Sequence, residues 1–255
     1  MRVLALNLRA GGSRSVLDRL LNRSLAHRPD TVVYSEYRNT AAGVRLRAGL
    51  REAGLEHAGW SSSDGRNGVL IASRWPFVSL YDPFGMQAGE YPDAILLARF
   101  DTLDLFGAYL PGQDRKRPHL RCLIAAAQRY NERGARAMCA GDFNSGRDAT
   151  DIEINVRAGR PIDAFSTGDL YEELERHWTE AWLYEHPDKL EYSWQPFRRD
   201  ADYVGRSGWR IDKAFVSKPL LQSVRAAEYD HSFREQRLTD HSALVVDIDE
   251  PHGRT

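Results

Sequence analysis
Apolar positions along the chain follow two periods, and the two alternate. Arg2 to Leu8 (RVLALNL) is a short apolar run closed by a Gly-Gly turn and reads as a strand. From Ser15 to Ala26, Val16, Leu17, Leu20, Leu21 and Leu25 recur at helical spacing. Thr31 to Ser35 (TVVYS) is a second strand that ends on Glu36, and Ala42 to Ala53 is a second amphipathic helix. The pattern then changes. GVLIASRWPFVSLYDPF reads as two strands joined at a Trp-Pro turn, followed by DAILLARF and DTLDLFGAYL. Breaks containing Asp, Pro and Gly between these runs predict antiparallel pairing. Arg117 to Asn131 places Leu120, Leu123, Ile124 and Ala127 on one helical face, and Ala135 to Ala140 is a strand that runs into GDFN. Asp169 to His177 and Thr179 to His186 are expected as helices, and three strand-like pieces (EYSW, GWRIDKAFVS and SALVVDI) close the chain. Strands interspersed with helices, without an internal repeat or low-complexity linker, predict an α/β or α+β sandwich with sheets inside and helices outside.

Composition narrows the class further. The 255 residues suit one domain, taken as residues 1–250, with PHGRT at 251–255 as a frayed tail. A hydrophobic share of 42% is enough for a proper core and excludes a disordered chain. A net charge of -1 argues against bulk electrostatic binding of nucleic acid but leaves room for a local basic face. No apolar run reaches the roughly 18–20 residues that span a bilayer. The start, MRVLALNLRAGG, turns polar too quickly for a signal peptide. The expectation is a soluble, cytoplasmic monomer with no membrane partner. Cys122 and Cys139 are too few for a disulfide framework or a zinc site and are expected to be buried thiols.

Polar residues capable of chemistry stand where apolar runs stop. Asn7 closes LALN, Glu36 closes VVYSE, Tyr109 closes LFGAY, and Asp142 and Asn144 follow AMCAG. Asp212 lies inside WRIDKAFV, and Asp240-His241 precedes SALVVDI. Strand ends are rigid, and loops beyond them converge on one rim, so precise groups can be offered without burying charge in the core. Singly, each has a plain explanation: Asp and Asn start turns, and Tyr109 could be a half-buried strand residue. Asp212 is harder to explain so, because a carboxylate between Ile211 and Phe215 needs a partner if buried, and a histidine is the natural candidate.

Together, in order, LALNLRAGG, YSEYR, NGVLIASRWP, FGAYLPGQ, AGDFNSG, GWRIDKAFVS and TDHSALVV resemble the endonuclease/exonuclease/phosphatase superfamily, from Arg2 to about Ile248. The resemblance implies a four-layer α/β sandwich in which two mostly antiparallel mixed sheets pack face to face with helices outside. It implies metal-dependent hydrolysis of phosphodiesters, with Mg²⁺, or Mn²⁺ in its place, as the cofactor. A hard cation with oxygen ligands neutralises an anionic ester and stabilises the leaving oxygen. In this plan Glu36, Asp240 and Asn7 hold the metal, and Asp142 is the base, with Asn144 fixing the water or a phosphate oxygen. His241, held by Asp212, meets the developing negative charge as an imidazolium, and Tyr109 donates to the phosphate or adjusts Asp142.

EYSWQPFRRDADYVGRSGWRID resembles the exonuclease III branch, in which side chains at this place form a pocket for the sugar of an abasic nucleotide. Trp194, Trp209 and Ile211 occupy the matching positions. Arg198, Arg199 and Arg206 suit a DNA backbone, and Arg115 and Lys116 fall where the family contacts phosphate. The chain departs from the abasic endonucleases at Arg9, where several have an acidic or amide group. It also departs at Gly112, where an Asn is expected, and at SEYR in place of Gln-Glu-Thr-Lys. The leading expectation is a DNA endo/exonuclease of exonuclease III type in a DNA-repair setting. A phosphoesterase acting on a small molecule or lipid headgroup keeps the same centre, and a non-catalytic scaffold is a third alternative.

Overall fold
The apolar runs are strands covered on both sides, which is why most read as continuous rather than alternating. The computed structural model describes residues 1–10, 14–63, 65–86, 90–153, 165–197 and 208–249. Its strands are β1 (Arg2–Asn7), β2 (Thr31–Tyr37), β3 (His57–Trp60), β4 (Gly68–Ser73), β5 (Val78–Tyr81), β6 (Ile95–Arg99), β7 (Asp104–Tyr109), β8 (Ala137–Asp142), β9 (Trp178–Glu180), β10 (Asp212–Ser217), β11 (Val224–Asp230) and β12 (Ala243–Ile248). The main helices are α1 (Arg14–Ala26), α2 (Ala41–Glu52), α3 (Arg117–Glu132), α4 (Gly168–Glu175) and α5 (Ala181–Glu185).

Two six-stranded sheets result, in the orders β11-β12-β1-β2-β4-β3 and β5-β6-β7-β8-β10-β9. Only β1 with β2 and β7 with β8 pair in parallel; the other neighbours are antiparallel. Alternate side chains divide between the layers. Val3, Ala5, Val33, Val69 and Ile71 of the first sheet meet Leu96, Leu105, Met138, Ala140 and Ala214 of the second. Leu4, Leu6, Tyr34 and Leu70 face α1 and α2 through Leu17, Leu20, Leu46 and Leu50. Phe106, Cys139 and Phe215 face α3 and α4 through Leu120, Leu123, Leu170 and Leu174. This is the expected helix–sheet–sheet–helix sandwich.

Gly107 and Gly141 each allow a close approach behind the rim. A Cβ on Gly107 of β7 would stand 2.7 Å from Val69 Cγ1 across the sheet interface. On Gly141 of β8 it would stand 2.1 Å from the Ala108 carbonyl oxygen, and φ there is +143°, a region other residues avoid.

Several expectations change. β4 and β5 do not pair; the turn at Trp75 hands the chain from one sheet to the other, β4 being buried throughout between β2 and β3 while β5 is an exposed edge. The segment expected as a helix from Thr179 begins as strand, since Thr179 and Glu180 pair with Val216 and Phe215, and α5 starts at Ala181. EYSW contributes only isolated bridges at Trp194. GWRIDKAFVS becomes regular strand only at Asp212. Strands β3 and β11 are additions, one very short and one rich in Ala and charge. Cys139 is buried as expected, but Cys122 is half-buried. The tail at 251–255 and Arg198, Arg199 and Arg206 lie outside the described residues. Among the described residues no helix is long and apolar enough to cross a membrane.

Candidate active site
Strand direction brings the polar strand ends together. β1 runs with β2 and β7 with β8, so Asn7, Glu36, Tyr109 and Asp142 all lie at or beside C-terminal ends. β10 runs against β8 and β12 against β1, which brings the start of β10 (Asp212) and the approach to β12 (Asp240 and His241) to the same rim. Bonds between the sheets show that the two rims coincide. Asn7 Nδ2 donates to Asp142 Oδ2 at 2.7 Å. Ser35 Oγ donates to the Ala108 carbonyl at 2.8 Å and accepts the Asp142 N–H at 3.2 Å. His241 Nδ1 lies 2.9 Å from Asp212 Oδ2.

Asp142 is 1% exposed. Its carboxylate also accepts the Asn144 N–H at 2.7 Å and Asn144 Nδ2 at 3.1 Å. Burial pushes the carboxyl up to about 7; the His241 charge pulls down, Asp212 pushes up, and the bonds from Asn144 and Asn7 pull down. A carboxyl that gives up its proton near neutrality is suited to be a general base. Asn144 takes the left-handed conformation, φ 50°, which Asn tolerates better than most residues. It is pinned there, because Nδ2 donates to the Leu110 carbonyl at 2.9 Å and Lys116 Nζ donates to the Asn144 carbonyl at 2.6 Å. Lys116, expected as a phosphate contact, is instead 1% exposed, with its ammonium directed at that carbonyl. Burial lowers it to about 8, against the opposing pull of Asp142.

Glu36 sits where the register of β2 against β4 slips, Ser35 facing Val69 and Tyr37 facing Gly68, and its φ is 55°. A bulge of this kind re-aims a side chain, and a strained non-glycine residue at a rim is a mark of function. Oε1 accepts from Asn7 Nδ2 at 3.3 Å and Oε2 from Asn67 Nδ2 at 3.2 Å. Asn67 Nδ2 also reaches the Tyr109 hydroxyl at 3.4 Å. Burial, then the Glu36 charge, raise Tyr109 to about 12, so it remains a neutral donor at physiological pH.

The His241–Asp212 pair is buried at 5% and 1% exposure. Burial alone would lower the imidazole, but the Asp212 charge and hydrogen bond, with Asp142 and Asp240 beyond, raise it to about 9. The partner expected for Asp212 is therefore the histidine of the DHS segment, and that histidine is a cation at neutral pH. Asp240 accepts from Trp194 Nε1 at 3.2 Å and lies 3.6 Å from Arg9 Nε.

Glu36 and Asp240 offer hard carboxylate oxygens at the rim, and Asn7 lies buried between Glu36 and Asp142. Asn7 Oδ1 accepts the Arg9 N–H at 2.7 Å, while its amide nitrogen bridges Glu36 and Asp142. Among the described residues no group of three His, Cys, Asp or Glu side chains is gathered to hold an ion. Among them, too, no ion pair reaches Glu36, whose charge is met by neutral amides. A small set of oxygen donors around an unbalanced carboxylate fits a cation that keeps most of its waters, as Mg²⁺ does.

The three residues expected to form a substrate pocket are neighbours. Trp194 bridges to Trp209 and to His241, and Ile211 follows on the way to Asp212. Trp194 and Trp209 are half-buried and Ile211 is buried. Ser193 Oγ fixes this segment by accepting the Ile211 and Asp212 N–H groups, each at 3.0 Å. Arg115 is exposed and bound to Tyr91, Nη1 to the hydroxyl at 2.9 Å, with no described bond to the residues of the centre. Ser35, Asn67, Lys116 and Ser193 were not singled out from the sequence for these roles. Asn67 had a signal in the Asn-Gly that opens β4, whereas the serines and the buried lysine had none.

The chain belongs to the Endonuclease/Exonuclease/phosphatase family, whose model matches residues 4–241. Membership makes hydrolysis of phosphate esters its class of reaction. No curated protein matches it in a sequence search. Among solved structures it is similar to an AP endonuclease from Archaeoglobus fulgidus, with a TM-score of 0.78 and 19% identity over 98% of this chain and 100% of that one. It is similar at a TM-score of 0.76, with the same identity and coverage, to the 3′ phosphatase NExo from Neisseria bound to product DNA hairpin and to the 3′-5′ exonuclease NExo from Neisseria meningitidis.

Proposed function
We propose that the chain is a divalent-metal-dependent nuclease of exonuclease III type that cleaves DNA phosphodiesters at abasic sites or from 3′ ends. The observation that carries this is the buried Asp142, a base near neutrality, set on the same rim as the His241–Asp212 cation. Asp142 takes the proton of an attacking water that Asn144 helps to hold. His241 and Tyr109 donate to phosphate oxygens as negative charge grows. Glu36, Asp240 and Asn7 hold Mg²⁺, or Mn²⁺ in its place, which supplies Lewis-acid neutralisation of the phosphate. Trp194, Trp209 and Ile211 lie against His241 and Asp212, where they would meet the sugar beside the scissile phosphate. The AP endonuclease and NExo likenesses support DNA as the substrate.

Labelled duplexes with an abasic site or a recessed 3′ end, with Mg²⁺ and with chelator, test this. Product release that needs the metal and stops in Asp142→Asn is expected, with that variant still folded. Intact duplex alongside hydrolysis of a small phosphodiester would overturn the nuclease assignment in favour of a small-molecule or headgroup phosphoesterase. Unchanged turnover in Asp142→Asn would overturn the base.

A further inference from the structure
Arg9 leaves β1 in the left-handed conformation, φ 50°, and its N–H is tied to Asn7 Oδ1. That backbone carries the side chain across the rim. The guanidinium lies over the Phe197 ring, 4.6 Å from its centre, and Nε stands 3.6 Å from Asp240 Oδ2. The two partners differ in how firmly they are held. Asp240 is 15% exposed and fixed from the side by Trp194 Nε1 at 3.2 Å. Arg9 is 55% exposed, with no hydrogen bond from its guanidinium to Asp240. An exposed pair at this distance is weak, and a better partner displaces it. A tetrahedral oxyanion is such a partner, because it accepts two parallel N–H bonds from the planar guanidinium.

We propose that Arg9 is a movable cation that covers Asp240 until substrate arrives and then turns on the Phe197 ring to bind the substrate's phosphate. The proposal rests on the metal-dependent phosphoesterase reading and deepens it. While Arg9 lies on Asp240 it repels a divalent cation from one of that cation's candidate ligands. Once it binds an anion the repulsion falls. Occupation of the two subsites is then linked, and linkage of binding is reciprocal. Removing the guanidinium should therefore strengthen metal binding in the absence of an anion and weaken the coupling between metal and anion.

Titration of the whole protein with Mn²⁺, followed calorimetrically and by electron paramagnetic resonance, tests this without turnover. Sodium chloride is compared with sodium sulfate at equal ionic strength, sulfate standing in for the phosphate. In chloride, Arg9→Gln is expected to bind Mn²⁺ about fivefold more tightly than the parent, a size set by an exposed ion pair. Sulfate should tighten Mn²⁺ binding to the parent and do so less for Arg9→Gln, while Arg9→Lys, which keeps the charge but not the planar fork, should match the parent more closely in chloride than in sulfate. Equal Mn²⁺ affinities of parent and Arg9→Gln in chloride, or equal tightening by sulfate, would overturn the proposal and leave the metal reading standing. Absence of Mn²⁺ binding to every form would overturn both.

Discussion
Replacing Asp212 by Asn removes the charge that keeps His241 protonated while leaving the shape of the contact. In the parent, burial opposes the imidazolium, yet Asp212 at 2.9 Å, with Asp142 and Asp240 beyond it, outweighs burial and carries the group from 6.5 to about 9. At about 1.4 kcal/mol per tenfold change, that move corresponds to roughly 3 kcal/mol of preference for the charged ring in the folded state. The figure is a net one, the pull of Asp212, Asp142 and Asp240 less the opposing cost of burial. Since the folded value lies above the unfolded one, this stabilisation is fully present below pH 6.5 and is lost as pH rises through about 9.

Urea unfolding of parent and Asp212→Asn, with chelator present, reads this directly. Between pH 6 and pH 10 the stability gap between them should be largest near pH 6 and shrink by roughly 3 kcal/mol or more by pH 10. In the variant, burial acts on His241 with much less opposition, so its ring should titrate well below the parent's, which is visible in its carbon-bound proton and ¹³C shifts. A gap that stays constant from pH 6 to pH 10, or a parent ring that titrates near 6.5, would refute the electrostatic account of the pair.

Three further changes probe the frame around the centre. Gly141→Ala places a Cβ against the Ala108 carbonyl in a backbone region closed to alanine, and a loss of about 3 kcal/mol or more in urea unfolding is expected; a parent-like midpoint would mean that β7 and β8 can part there cheaply. Lys116→Met removes the charged donor to Asn144, a bond of roughly 1.5–3 kcal/mol, so kcat should fall about tenfold or more with KM little changed; an unaltered kcat would show that Asn144 is held without it. Lys213→Met strands excess negative charge among Asp151, Glu180 and Arg210, all at most 3% exposed, and should cost about 3–5 kcal/mol. Adding Glu180→Gln rebalances the cluster and should recover most of that loss, whereas strictly additive losses in the double variant would deny that the charges act as one network.

The layers were legible because hydrophobic burial writes a period into sequence. Runs such as VLALN, TVVYS and ALVVDI could only be strands covered on both faces, and α1, α2 and α3 carried one apolar face each. The rim was legible for a second reason: a carboxylate or amide that closes such a run conflicts with burial unless it has a task. Pairing was less so. GVLIAS and VSLY are consecutive and both strand-like, and no local signal says that they belong to different sheets. Strand β11 escaped notice because VRAAEYD gains its place from β12, not from its own composition. The partners of the site were hidden for the same reason. Ser35 and Ser193 matter through the backbone groups of other strands, and Lys116, expected at the phosphate, is turned by burial toward the Asn144 carbonyl instead.

The centre divides into a half that is set in advance and a half that is free to respond. Asp142, Asp212 and His241 are buried and bonded across both sheets, and Asp142 and His241 are shifted by the charges around them. Moving any of them means moving a strand, so their geometry is settled before substrate binds, as stabilisation of developing charge requires. Glu36, Asp240 and Arg9 lie toward solvent, held by neutral amides, an indole and one weak ion pair. They contact one another and their supports without disturbing the core. Changes in the first group should therefore appear in the protonation equilibria and turnover of the centre, and changes in the second in what the rim binds and how tightly. The Asp212→Asn and Arg9→Gln measurements fall on opposite sides of that line, and they meet at Asp240, which lies 4.0 Å from His241 Nε2.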